Sequence, residues 1–254
     1  MTASENRVAL VTGSALGIGA AIAEQLARDG MTVLVSDLNE AEAGRTAARF
    51  REQGFTAEPL ELDVSDPASI AAAFAVVGNR FGRCDVVVNN AGIAKTFPFL
   101  DFPLDNFAAT MAVNVTGTLL CAQRAAQLMV PRGWGRIINI ASVAGMRFVG
   151  HGRTAYGTSK AAVIGLTRQI ASELAEAGIT ANAVAPGPVD TPMTEVLHSP
   201  EFRSTYTAAV PMKRYGKPSE VADLVSFLAS DRAAYITGAV IPVDGGFMGA
   251  GALG

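Results

Sequence analysis

The chain has 254 residues, half of them hydrophobic and 17% charged, with a formal net charge of −3. That composition excludes disorder and leaves enough apolar surface for a core without disulfide staples. It carries no basic excess for nucleic acid or an anionic membrane, and two cysteines with two histidines give no metal-ligand spacing.

The first seven residues lead straight into an apolar strand, with no signal-peptide core and no uncharged apolar run of spanning length anywhere. The expectation is one soluble, cytoplasmic domain. Near-continuous apolar runs at 8–11, 32–35, 85–88, 136–140, 180–184 and 239–243 predict strands, with 58–62 a seventh interrupted by Pro59. Continuous rather than alternating apolarity is what a sheet covered on both faces requires. Helical periods fall between them at 18–28, 40–53, 67–81, 103–129, 154–176 and 218–229, and Asp66-Pro67 reads as an N-cap and first helical residue. The alternation predicts an α/β fold, a doubly wound parallel sheet of seven strands with helices on both faces. Residues 188–217 break the rhythm with four prolines and a poorly periodic middle, and read as an irregular lid.

The first strand runs into Thr12-Gly13-Ser14-Ala15-Leu16-Gly17-Ile18-Gly19 and then a helix. Glycines here let the backbone approach a pyrophosphate, and the helix N-terminus offers free N–H groups. Asp37 ends the second strand, where a carboxylate would accept from adenosine ribose hydroxyls; the alternative is a helix N-cap aided by Asn39. A carboxylate there repels a 2′-phosphate, and neither Ser14 nor Leu38 supplies a cation, so NAD is expected rather than NADP. Downstream, Tyr156 and Lys160 lie at i and i+4 on a predicted helix, a spacing in which an ammonium can favour a phenolate. Ser142 follows one central strand and Asn89-Asn90-Ala91-Gly92 another, both at the carboxyl edge where open α/β sheets bind ligands.

Together these residues resemble the short-chain dehydrogenase/reductase family along essentially the whole chain. The matching pieces are Thr12-Gly13-x3-Gly17-x-Gly19, Asp63-Val64, Asn89-Asn90-Ala91-Gly92, Asn114, Ser142, Tyr156-x3-Lys160, Pro186-Gly187 and Thr191. The resemblance implies a Rossmann fold with the dinucleotide across the carboxyl edge. Tyr156 would be the acid/base, Ser142 would hold the substrate oxygen, and Lys160 would lower the tyrosine pKa and bind the nicotinamide ribose. Asn114 would bend its helix and hold a water for proton relay. Asp63 and Val64 would contact adenine, Asn90, Ala91 and Gly92 would form the floor, and Val189 and Thr191 would hold the carboxamide. A homotetramer is implied as well, and the apolar tail at 245–254 could pack across a subunit boundary or lie free.

The expected reaction is NAD-dependent interconversion of a polar secondary alcohol, such as a polyol or sugar, and its carbonyl. The alternatives are a 3-oxoacyl thioester reductase and a non-catalytic NAD-sensing protein. Arg147, His151 and Arg153, between Ser142 and Tyr156, and Lys95 on a neighbouring loop suggest contact with an anionic or heavily hydroxylated substrate. Otherwise they point to solvent or pair with groups elsewhere.

Overall fold

The computed structural model describes residues 7–249. Its strands are β1 (Val8–Thr12), β2 (Thr32–Asp37), β3 (Ala57–Glu61), β4 (Val86–Asn89), β5 (Gly135–Ile140), β6 (Ile179–Pro186) and β7 (Val240–Val243). Helices α1 (Gly17–Arg28), α2 (Glu40–Glu52), α3 (Pro67–Phe81), α4 (Leu104–Met111), α5 (Thr118–Met129), α6 (Thr154–Leu174), α7 (Pro192–Leu197), α8 (Pro200–Ala209) and α9 (Pro218–Ala229) connect them. The strands form one sheet in the order β3-β2-β1-β4-β5-β6-β7, every neighbouring pair parallel. The winding reverses between β1 and β4, which opens a crevice above their carboxyl ends. The doubly wound sheet expected from the apolar runs is therefore the fold.

Side chains alternate between the faces of a strand, and here both faces are dry. Ala9, Val11, Val33 and Val35 pack under Ile22 and Leu26 of α1, Phe50 of α2 and Val225 and Leu228 of α9. Val8, Leu10, Leu34 and Val87 pack under Ile70 and Phe74 of α3 and Cys121, Ala125 and Met129 of α5. Burying each larger side chain contributes ~2 kcal/mol. Pro59 is accommodated because β3 is an edge strand, where the missing N–H costs no ladder bond. Asp66 caps α3 as its spacing suggested, accepting from the Ala68 and Ser69 N–H groups.

Two expectations need correction. The helix expected over 103–129 is interrupted between α4 and α5 by a π-helical turn, Ala112–Gly117, centred on the Asn114 region. Gly117 is required there, since a Cβ would lie 2.5 Å from the Val64 carbonyl oxygen. The segment 188–217 is not irregular but carries α7 and α8. Pro192 and Pro200 each stand in the first turn, where a missing N–H is harmless, and Thr191 and Ser199 cap the N–H groups of Thr194 and Phe202. Two of the four prolines that read as breakers are helix starters. Of the tail, Phe247 packs against Val143, Val149, Tyr206 and Val210 of its own chain, and residues 250–254 lie outside the described residues. Among the described residues no helix is long and apolar enough to cross a membrane.

Candidate active site

At the carboxyl end of β1 the chain turns through Gly13 and Gly17, both at positive φ (61° and 60°). Gly13 permits close approach to β4: a Cβ would lie 2.9 Å from the Ala91 Cα. Asn90 staples the turn, its Nδ2 donating to the carbonyls of Thr12 and Gly13, each at 2.9 Å. The Thr12 hydroxyl in return accepts from the N–H groups of Asn90 and Ala91 at 3.0 Å. Leu16 precedes α1 and provides no side-chain cap. The first N–H groups of α1 are thus left for an anion, as a pyrophosphate cradle requires.

The remaining cofactor candidates line the same cleft, which encloses about 480 Å³. Asp37, Asp63 and Val64 line it at the ends of β2 and β3, Gly17, Ile18, Gly19, Ala91 and Gly92 after β1 and β4, and Pro186, Gly187, Val189 and Thr191 at and beyond the end of β6. Asp37 is not a helix cap: Asn39 caps α2. The Asp37 carboxylate accepts instead from the N–H groups of Ala15 at 3.2 Å and Asn39 at 3.1 Å. Among the described residues Lys160 is the only cation lining the cleft. Sequence reasoning missed Ile93, Val113, Met193 and Thr194, which also line it; three are apolar, and none of the four carries a residue type or spacing that marks a site.

Ser142, Tyr156 and Lys160 meet in this cleft. Ser142 stands two residues after β5, its Oγ accepting from the Ala144 N–H at 3.1 Å, and it lines the cleft together with the Tyr156 phenol. Burial pushes the phenol up, while Ser142 beside it and the Arg153 charge pull it back. Lys160 Nζ lies 5.7 Å from the Tyr156 ring centroid and donates to the Ile140 carbonyl at 2.7 Å. In the free protein burial outweighs the groups that favour the phenolate, and the Lys160 ammonium is itself desolvated and bonded to the Ile140 carbonyl.

Burial holds the Lys160 ammonium down to about 8. The unfolded chain binds that proton more readily, so the penalty on folding is full below about pH 8 and fades as pH rises toward 10.5. Lys160→Met is expected to be more stable than the parent at pH 7 by ~2 kcal/mol, after the lost Ile140 bond is counted. The gain shrinks toward pH 10, and urea unfolding at the two pH values checks it.

Asn114 does not line the cleft. Its Oδ1 accepts from the Ile93 N–H at 2.9 Å, and its Nδ2 donates to the Ile93 carbonyl at 3.0 Å and to Ser159 Oγ at 2.9 Å. The side chain ties the π-helical turn to the β4 loop and the catalytic helix. None of the four basic candidates for substrate contact lines the cleft either. Arg147 donates to the Phe247 carbonyl at 3.2 Å, and Arg153 lies 2.8 Å from His198 Nε2. His151 is exposed, its ring edge-on to Phe148 at 5.4 Å, and Lys95 is exposed on its loop.

A family model described as enoyl-(acyl carrier protein) reductase matches residues 13–248. A 3-oxoacyl-[acyl-carrier-protein] reductase from Aquifex aeolicus is 43% identical over 244 residues, covering 95% of this chain and 97% of the relative. The chain belongs to the short-chain dehydrogenase/reductase family. A solved short-chain type dehydrogenase/reductase from Mycobacterium marinum superposes with a TM-score of 0.92 at 35% identity, covering 96% of each chain. A gluconate 5-dehydrogenase from Burkholderia cenocepacia, solved with NADP and tartrate, gives 0.93 at 36% identity and 97% of each chain. This short-chain dehydrogenase/reductase is accordingly an oxidoreductase that uses a nicotinamide dinucleotide. The uncapped α1 terminus, the glycine cradle and the carboxylate at β2 fit that group.

Proposed function

We propose that this enzyme interconverts a secondary alcohol and its ketone with NAD rather than NADP. The carrying observation is the Asp37 carboxylate at the end of β2, in a cleft whose only lining cation among the described residues, Lys160, bonds the end of β5, three strands away in the sheet. A bound nicotinamide supplies the hydride acceptor or donor. In the oxidation direction Tyr156 takes the hydroxyl proton, Ser142 holds the substrate oxygen and offsets the charge growing on it, and Lys160 contributes a positive charge beside the phenol. Asn114 serves by holding the β4 loop against the catalytic helix.

The test is kcat/KM with each cofactor over a panel of sugars, polyols, hydroxy acids and simple secondary alcohols, followed at the NADH absorbance band. NAD is expected to be preferred at least tenfold, ~1.4 kcal/mol, and Asp37→Ser should narrow the gap. Equal efficiencies overturn the assignment, and NAD binding without turnover on any compound would favour a sensing role.

A neutral substrate is favoured over an anionic one, since Arg147 and Arg153 are engaged elsewhere. Reduction of a 3-oxoacyl thioester is the second reading. The Aquifex relative supports it, as do the exposed apolar side chains of Phe99 and Leu100 after β4 and Phe148 after β5. A 3-oxoacyl thioester offered with NADH separates the two. We also propose a homotetramer: the α5–α6 face carries an apolar groove lined by Leu119, Ala122, Ala126, Val130, Leu166 and Ile170. Light scattering should give four times the chain mass.

A further inference from the structure

His198 follows α7 and is 6% exposed, in a nest of aromatic rings. The ring centroids of Phe202, Tyr206 and Tyr215 lie 4.7, 6.2 and 6.0 Å from it. Both ring nitrogens are engaged: Nε2 lies 2.8 Å from an Arg153 guanidinium nitrogen and Nδ1 lies 3.0 Å from the Tyr215 hydroxyl. A guanidinium has only donors, so Nε2 must be the unprotonated nitrogen. Nδ1 then carries the proton and donates to Tyr215. A protonated ring would set N–H against N–H and cation against cation.

The surroundings enforce that neutral form. Arg153 faces the ring from the start of α6 and Arg203 from α8, the latter paired with Asp190 and stacked over Tyr215 at 4.1 Å. Tyr206 and Tyr215 are the other titratable groups against it. Burial first, then the two guanidinium charges, hold the imidazole down to about 4.

Arg153 stands three residues ahead of Tyr156 at the opening of α6, a spacing that places the two on neighbouring positions of one helix face. The segment bearing His198 also supplies Thr191, Met193 and Thr194 to the cleft. We propose that neutral His198 is a positioning residue that clasps the 188–217 segment to the catalytic helix, gripping Arg153 so that its charge stands by Tyr156. The inference rests on the acid/base role assigned to Tyr156. It adds Arg153, held from that segment, as a second cation on the helix that bears Tyr156 and Lys160. The Arg153 charge is among the groups that pull the buried phenol back down, whereas Lys160 faces the Ile140 carbonyl.

The test uses Arg153→Met, Arg153→Lys, His198→Leu and His198→Gln in the full chain. Glutamine keeps an acceptor for the guanidinium and a donor for Tyr215. The pH at which kcat/KM for alcohol oxidation reaches half its plateau should rise by about 0.5 in Arg153→Met and His198→Leu, a threefold fall in ionisation constant. His198→Gln and Arg153→Lys should stay near the parent value. Activity lost equally at every pH, with the midpoint unmoved, would reduce the clasp to scaffolding and overturn the positioning role. A second arm needs no substrate. In 15N NMR of the imidazoles, with His198→Gln assigning the signals, His198 should be the Nδ1-protonated tautomer from pH 6 to 8, and Arg153→Met should shift its Nε2 resonance. An Nε2-protonated ring, or an unmoved resonance, overturns the clasp. If the parent turns over no alcohol with either cofactor, the proposed function fails, and the NMR arm alone decides this inference.

Discussion

Tyr156→Phe is expected to lower kcat by at least ~100-fold while leaving NAD affinity within a small factor, because the change deletes a positioned acid/base and keeps the ring. The hydroxyl opens into the cleft beside Ser142, so the fold has little reason to respond. Steady-state kinetics beside calorimetric titration with NAD separate the two quantities. The loss should be equal in kcat and kcat/KM, the pattern of a group that acts in the transition state alone. Turnover near the parent value in a folded variant would remove Tyr156 from the chemistry, and with it the reading of the cleft as catalytic.

Gly19→Ala is expected to weaken NAD binding at least ~10-fold and to lower Tm, the cost of overpacking a rigid site being typically ~1–3 kcal/mol. The added methyl would point at the Gly13 carbonyl and lie 2.5 Å from Asn90 Nδ2 and 2.8 Å from Ser14 Cα. None of these is the free end of a flexible side chain: Asn90 is bound twice to the turn it would have to leave. A methyl on Gly44 of α2, a half-buried position, meets nothing within 4 Å, so Gly44→Ala serves as the control. Parent-like NAD affinity in Gly19→Ala would mean that the turn does not receive the pyrophosphate.

Apart from the edge strand β3, the strands were legible because they show apolar residues to both faces, a pattern set by local sequence and indifferent to the partners. The cleft was legible for the same reason: its glycines, Asp37, Ser142, Tyr156 and Lys160 sit at strand ends or at one helical spacing. What escaped was tertiary. Arg147 and Arg153 displayed their charge in the sequence, but their partners Phe247 and His198 are 100 and 45 residues away. The engagement of Lys160 with Ile140 depends on how α6 lies against β5, which spacing along a helix does not report. The prolines of 188–217 misled because the same missing N–H ends a helix in its interior and begins one in its first turn. Asn114 was singled out by resemblance, and its bonds to Ile93 and Ser159 emerged only with the helix around it.

The two carbonyls gripped by Asn90 are fixed before any ligand arrives. A loop already held in one conformation surrenders little freedom when an anion settles on it, where an unrestrained one would lose ~1–2 kcal/mol per residue. The adenosine half of the cleft therefore meets its ligand as a rigid surface. Thr191, Met193 and Thr194 wall the rest of the cleft, on a segment joined to α6 through a histidine and an arginine. Any ordering that binding demands falls on that part, next to the alcohol and the nicotinamide. Under the proposed function the expected order of binding is the dinucleotide first and the alcohol second, into a pocket the dinucleotide completes.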